Sequence, residues 1–171
     1  GDVYKRQVGN SITANNMDGI FCKYSNYNNI VGNSIAANNM DGIYLHTYSN
    51  NNVAGNTITA NNWFGIHLIE SSNNNIDGNN VANNGYGIYL YECSSNVVYH
   101  NNFVNNTNRV DIYNSVNVWD DGYPSGGNYW SDYDGTDIFS GSYQNVAGSD
   151  GLGDNALAID ADNRDQYPLM G

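Results

Sequence analysis

The chain has 171 residues, 13% of them charged, and a formal net charge of −12, with five Lys and Arg against 17 Asp and Glu. One domain fits that length. So few cations exclude a nucleic-acid partner and argue against docking on anionic lipid, because phosphate recognition needs Lys and Arg. The same charge favours cations as ligands. No apolar run of 18 residues occurs, so membrane insertion is not expected.

The first residues stand apart. Asp2-Val3-Tyr4-Lys5-Arg6-Gln7 reads as a translated sequencing-library adapter. Residues 1–7 are therefore expected to be non-biological, with the native N-terminus and further coils missing before Val8. An absent signal peptide then carries no information on location.

From Val8 the chain repeats. Val8–Ile30 reads VGNSITANNMDGIFCKYSNYNNI, Val31–Val53 reads VGNSIAANNMDGIYLHTYSNNNV, and Ala54–Ile76 reads AGNTITANNWFGIHLIESSNNNI. Asp77–Val98 is one residue shorter, and a fifth unit runs from Tyr99 to about Trp119. Strict repetition at 22–23 residues excludes the disordered reading that a Gly-, Asn- and Ser-rich composition alone would suggest.

Each unit carries short apolar alternations between Gly and Asn. Ile20-x-Cys22, Ile43-x-Leu45, Ile66-x-Leu68, Ile88-x-Leu90 and Val110-x-Ile112 have the period of a strand with one buried face. A second apolar column is Ile12, Ile35, Ile58, Val81 and Phe103. A third is Ile30, Val53, Ile76 and Val98, with Val118 as its fifth member. Three short strands per unit predict an all-β fold: a right-handed, single-stranded parallel β-helix (solenoid) of about five coils over residues 8–119. An irregular C-terminal cap is expected over 120–171. A single coil could not close a core; stacked neighbours do.

Two Asn columns are expected to form turn ladders: Asn10, Asn33, Asn56, Asn79 and Asn101, and Asn16, Asn39, Asn62, Asn84 and Asn106. Cys22 aligns with Leu45 and Leu68 in the core. Cys93 aligns with Ser71 at a turn, three coils away. That is roughly 14 Å along the axis at the spacing of paired strands, too far for a disulfide. Two thiols outside any disulfide are predicted, with Cys22 the buried one.

The C-terminal third holds GGNYWSDYDGTD at 126–137, GSDGLGD at 148–154 and DADNRDQYPLM at 160–170. With the Gly-Asn-x-Ile coils, these resemble the NosD-like or CASH-type parallel β-helix proteins of archaeal cell surfaces, over Val8 to Met170. The resemblance implies a right-handed β-helix, export to the surface or exterior, and association with carbohydrate binding or hydrolysis. It also carries a copper-delivery name from one bacterial branch. The residues depart from a copper site, which wants clustered His, Cys or Met. His46, His67 and His100 fall in different columns, and the Met17, Met40 column continues as Trp63 and Gly85.

Ten of the 17 acids follow residue 118, with only Arg164 to answer them. Asp132-x-Asp134-Gly-x-Asp137 and Asp150-Gly-Leu-Gly-Asp154 place alternate oxygens around turn glycines, so these five aspartates are candidate calcium ligands. Ordinary turn formation is the other reading. Trp119, Tyr129, Trp130 and Tyr133 are expected to plug the open end of the stack.

Outward positions of the second strand run Phe21, Tyr44, His67, Tyr89, Asp111 and Lys23, His46, Ile69, Tyr91, Tyr113. Phe21, Tyr44, His67, Tyr89, Tyr91 and Tyr113 are the candidate ligand-binding residues, since exposed aromatic faces pack on sugar rings and on proteins. Cross-strand stacking that only stabilises the sheet is the alternative. Glu70 and Glu92 align in adjacent coils about 5 Å apart, a spacing that suits a retaining glycosidase; they are the weak catalytic candidates. Asp18 and Asp41 stack likewise, with Phe64 next. Asn105-Asn106-Thr107 is a glycosylation sequon.

Together these features predict a secreted or cell-surface module that binds polysaccharide or surface glycoprotein, with calcium firming the cap and no catalysis. A polysaccharide lyase or glycosidase fragment is one alternative. A spacer or filament subunit that self-associates end to end is another.

Overall fold

The computed structural model describes residues 6–47 and 49–171; residues 1–5 of the expected adapter segment lie outside the described residues. The strands are short and all lie in the order of the coils. Sheet A holds β1 (Arg6–Val8), β4 (Asn29–Val31), β7 (Asn52–Ala54), β10 (Asn75–Asp77), β13 (Ser94–Tyr99) and β16 (Val116–Val118). Sheet B holds β2 (Ser11–Thr13), β5 (Ser34–Ala36), β8 (Thr57–Thr59), β11 (Asn80–Ala82), β14 (Asn102–Val104) and β17 (Tyr129–Trp130). Sheet C holds β3 (Ile20–Lys23), β6 (Ile43–His46), β9 (Phe64–Ile69), β12 (Tyr86–Tyr91) and β15 (Asn108–Tyr113). Within each sheet every neighbour is parallel and one coil on, so the chain is the predicted parallel β-helix of about five coils.

Register follows from the apolar columns. Ile43 pairs with Ile66 and Leu45 with Leu68; Ile35 pairs with Ile58, and Ile30 with Val53. All eight side chains are buried. Full burial of each contributes on the order of 1.5–3 kcal/mol, and a one-residue slip would turn a whole column to solvent. Gly65 marks how closely the coils approach: a Cβ there would stand 2.5 Å from Val81 Cγ1 and 2.8 Å from the Gly87 carbonyl.

The fifth coil departs from the expected third column. Val118 pairs with Val97 across a register shift and is 49% exposed, while Trp119 takes the core place beside it. The cysteines also differ from expectation. Cys93 is the buried thiol, and Cys22 is half-buried against the core. Cys22 stands in the first described coil, where its ladder has a neighbour on one side only. The turn position of Cys93 points inward: its Sγ reaches the carbonyls of Leu68 (3.5 Å) and Tyr91 (3.3 Å), as the Ser71 and Ser115 hydroxyls do in their coils. Burial pushes the Cys93 thiol up to about 11.

Three Asn ladders hold the turns. In the first, Asn56 Nδ2 donates to Asn79 Oδ1 (2.9 Å) and to the Ile30 carbonyl (2.9 Å), and Asn56 N–H donates to the same Oδ1 (2.9 Å). Asn10, Asn33, Asn101 and Asn128 repeat this pattern. The buried amides of this ladder are thereby satisfied by their neighbours, which is what allows so polar a residue inside. The second ladder is Asn15, Asn38, Asn61, Asn84 and Asn106. This corrects the expected column by one place: Asn16, Asn39 and Asn62 are exposed neighbours. The short turn of coil four lies after Asn84, at Gly85, so Asn84 matches Asn61. A third ladder, Asn28, Asn51, Asn74, Asn96 and Asn117, lies beside sheet A.

The C-terminal segment finishes two of these ladders with its own side chains. Asp165 Oδ2 accepts from Asn128 N–H (2.7 Å) and from the Trp130 indole (2.8 Å). Asn163 Oδ1 accepts from Asn117 N–H (2.9 Å) and the Trp119 indole (3.1 Å). Both Trp rings are buried, and Trp130 stacks on Phe103 at 4.5 Å. Burial pushes the Asp165 carboxyl up to about 6, against the hydrogen bonds from Trp130 and Asn128. Two small hairpins complete the segment: β18 (Phe139–Ser140) with β19 (Val146–Ala147), and β20 (Leu157–Ala158) with β21 (Arg164–Asp165).

Candidate functional site: the aromatic ridge of sheet C

The three sheets differ in what they turn outward. Sheet B presents Ser11, Ser34, Thr57, Asn80 and Asn102 in one column, and Thr13, Ala36, Thr59, Ala82 and Val104 in the other. Sheet C presents rings. Phe21 and Tyr44 stack at 4.9 Å, Tyr44 and His67 at 4.3 Å, and His67 meets Tyr89 at 5.1 Å. Phe64 stacks on Tyr89 at 4.8 Å, and Tyr91 on Tyr113 at 5.0 Å. Strand pairing one coil apart sets this spacing, because β6, β9 and β12 align Tyr44, His67 and Tyr89.

The stacking determines what the ridge can offer. Rings one coil apart, tilted by 28° or less in the Phe21–Tyr44 and Tyr44–His67 pairs, cover each other's faces. Their edges and the tyrosine hydroxyls line the outside. Ring faces remain open at the two ends of the ridge, where Phe21 is 52% and Tyr113 57% exposed. Tyr44, Tyr89 and Tyr91 are half-buried. All six expected ligand-binding residues therefore lie on one sheet face.

His67 differs from expectation in being buried. The period-two alternation directs it outward, but Tyr44, Phe64 and Tyr89 pack around the imidazole. Its Nδ1 lies 2.6 Å from Asp41 Oδ2. Since a carboxylate only accepts, Nδ1 carries the proton. His67 Nε2 is buried without a partner. Asp41 is itself buried; its Oδ1 accepts the Phe64 N–H (3.1 Å), and its N–H donates to Asp18 Oδ1 (3.1 Å). Burial raises the Asp18 carboxyl above the usual range, and the Asp41 charge adds to this. The sequence shows the Asp18, Asp41 stack but not its link to His67, which needs the side chain of one coil to reach across to the next.

Glu70 and Glu92 stand outside the ridge. They are exposed and follow the last residues of β9 and β12, in left-handed backbone with φ of 47° and 52°. Four of the five cap aspartates take separate partners. Asp132 pairs with Arg109 at 3.1 Å. Asp137 accepts the N–H groups of Asp150 and Gly151; Asp150 accepts from Gly141, and Asp154 from Ile138 and Phe139. Asp134 is exposed. Among the described residues, no three His, Cys, Asp or Glu side chains gather into a group that could hold a metal ion.

The soft donors are equally scattered. His100 approaches Asp77 at 3.7 Å and the Ser125 carbonyl at 2.9 Å, while His46 lies against Tyr44. Cys93 is held as a thiol in the core, and a thiol must lose its proton to ligate. These residues do not fit a copper centre.

A family model described as periplasmic copper-binding protein (NosD) matches residues 3–135. No curated protein and no solved structure matches the chain. The matched span covers most of the coils and the GNYWSDY segment, and on that match the chain belongs to the NosD family.

Proposed function

We propose that this chain is a β-helix module working outside the cytoplasm, which binds neutral polysaccharide along the aromatic ridge of sheet C without turning it over. One observation carries the reading: aromatic rings occupy the outward positions of one sheet, while the corresponding columns of sheet B are short and mostly polar. A ridge of ring edges and hydroxyls, open-faced at Phe21 and Tyr113, suits an extended polymer that hydrogen-bonds along its length and packs at its ends. The net charge of −12 disfavours acidic polymers. The periplasmic description of the family agrees with a place outside the cytoplasm. Its copper-binding description finds no converging donor set among the described residues.

Two other readings have less support. Glycosidase chemistry would rest on Glu70 and Glu92, which stand at turns beside the ridge and not on it. End-to-end filament growth meets a C-terminal end at which Asp165, Asn163 and the two indoles already close sheets A and B. Calcium at the cap is a separate proposal, carried by the spacing of its aspartates; the thermal midpoint with calcium and with EDTA decides it.

Titration calorimetry with neutral glucan, mannan and xylan, and with acidic polygalacturonate, tests the main reading. Binding to a neutral polymer with none to the acidic one supports it. Absence of binding to every neutral polymer, or release of shortened products, would overturn it.

A further inference from the structure

Sheet C ends differently from the other two sheets. Sheet A is closed by Asn163, whose Oδ1 accepts Asn117 N–H and whose Nδ2 donates to the Ser115 carbonyl (2.9 Å). Sheet B runs on into β17, which bridges to Leu169. Strand β15 is hydrogen-bonded only to β12 among the described residues. The Tyr113 carbonyl turns back to accept the Glu92 N–H (2.9 Å). Strand alternation therefore turns the N–H and C=O of Ile112 and Val110 to the open side. Both side chains are half-buried, packed against the end of the core.

A cavity lies at each end of this edge. One of about 330 Å³, lined by Thr107, Arg109, Ser131 and Asp132, adjoins the Asn108 end. The other, about 270 Å³, is lined by Ile112, Val116, Asp160 and Asp162 at the Tyr113 end. The unpaired edge of β15 runs from one cavity to the other.

We propose that the β15 edge takes an extended peptide strand of a partner protein, added parallel to β15 as the next strand of sheet C. Main-chain bonds to Val110 and Ile112 would supply affinity, as in other strand-addition complexes. Alternate apolar side chains of the peptide cover Val110 and Ile112. A cationic side chain at its C-terminal end meets Asp160 and Asp162. A second copy of this chain is the poorer occupant: edge-to-edge pairing would bring Asp111, Asp160 and Asp162 of two chains of net charge −12 together.

The test uses the whole chain and a fluorescein-labelled heptapeptide, Thr-Val-Thr-Val-Thr-Lys-Lys, followed by fluorescence polarisation. Saturable binding is expected, with the Val110 and Ile112 amides gaining protection from hydrogen exchange. The same peptide N-methylated at the threonine after each valine should bind about tenfold more weakly or worse, because those amides, and not the valine amides stacked over Val110 and Ile112, donate the two main-chain bonds. Asp162→Lys should weaken the unmethylated peptide as well. Equal binding of the N-methylated peptide, or none of either, would overturn the proposal. So would concentration-dependent dimerisation of the chain alone that already protects Ile112.

Discussion

His67 Nδ1 lies 2.6 Å from Asp41 Oδ2, joining two coils through a pair of buried side chains. The same carboxylate accepts the Phe64 N–H, so Asp41 holds both the imidazole and the start of β9. Asp41→Ala would leave the imidazole and the Phe64 amide without their acceptor in a site closed to water. A loss on the order of 3 kcal/mol is expected, read as a lower urea midpoint with an unchanged slope. A loss below about 0.5 kcal/mol would place the pair on the surface.

The ladder register separates two neighbouring asparagines. Asn61 is buried between Asn38 and Asn84, whereas Asn62 is exposed. Asn61→Ala removes the acceptor for Asn38 and is expected to destabilise by about 2–4 kcal/mol. Asn62→Ala should change stability by no more than about 0.5 kcal/mol. The reverse order in chemical denaturation would restore the column read from sequence.

Asp165 links the cap to pH. Its folded-state value, about 6, lies above the ordinary 3.8, so the folded chain holds a proton that the unfolded chain releases. The resulting stability is complete below about 3.8 and is lost as pH rises through about 6. Asp18 shifts in the same direction. The thermal midpoint should therefore rise between pH 7.5 and pH 4.5, by an amount equivalent to at most about 3 kcal/mol for Asp165. Asp165→Asn keeps an acceptor for Asn128 and Trp130 and should flatten that rise; an unchanged slope would assign the effect elsewhere.

Glycines fall into two kinds. Gly55 has φ of +60° and open space at its Cβ position, and Ala60 holds φ of 55° in the same coil. Gly55→Ala should cost about 1 kcal/mol. Gly65→Ala drives a methyl into Val81 and the Gly87 carbonyl and should cost about 3 kcal/mol or more. Thermal unfolding of the two variants measures the difference directly.

The apolar columns could be read from sequence because the period is 23 and each inward position repeats Ile, Leu or Val. Insertion or deletion within a turn is what sequence alone places poorly. The coil-four deletion falls at Gly85, one step beyond Asn84, and that step displaced the Asn column. Cys93 and Ser71 align in the repeat, but a turn position that points inward carries no alternation to show it. His67 followed the outward alternation of its strand; its burial depends on Asp41, Tyr44, Phe64 and Tyr89 from three coils, a convergence that no single repeat contains. The Trp119 and Trp130 plugs were legible from size and place alone, whereas Asp165 and Asn163 as ladder ends needed the chain to fold back 35 and 44 residues.

The most direct measurement is the affinity of a neutral polysaccharide for the parent chain and for Tyr44→Ser, Tyr89→Ser and their double variant. Circular dichroism would confirm that each is folded. Each single change should weaken binding by about tenfold and the double change by more, with the loss of ring area and hydroxyl on the ridge. Undiminished binding in the folded double variant would contradict a ligand-binding role for the ridge and leave its rings as ties between coils.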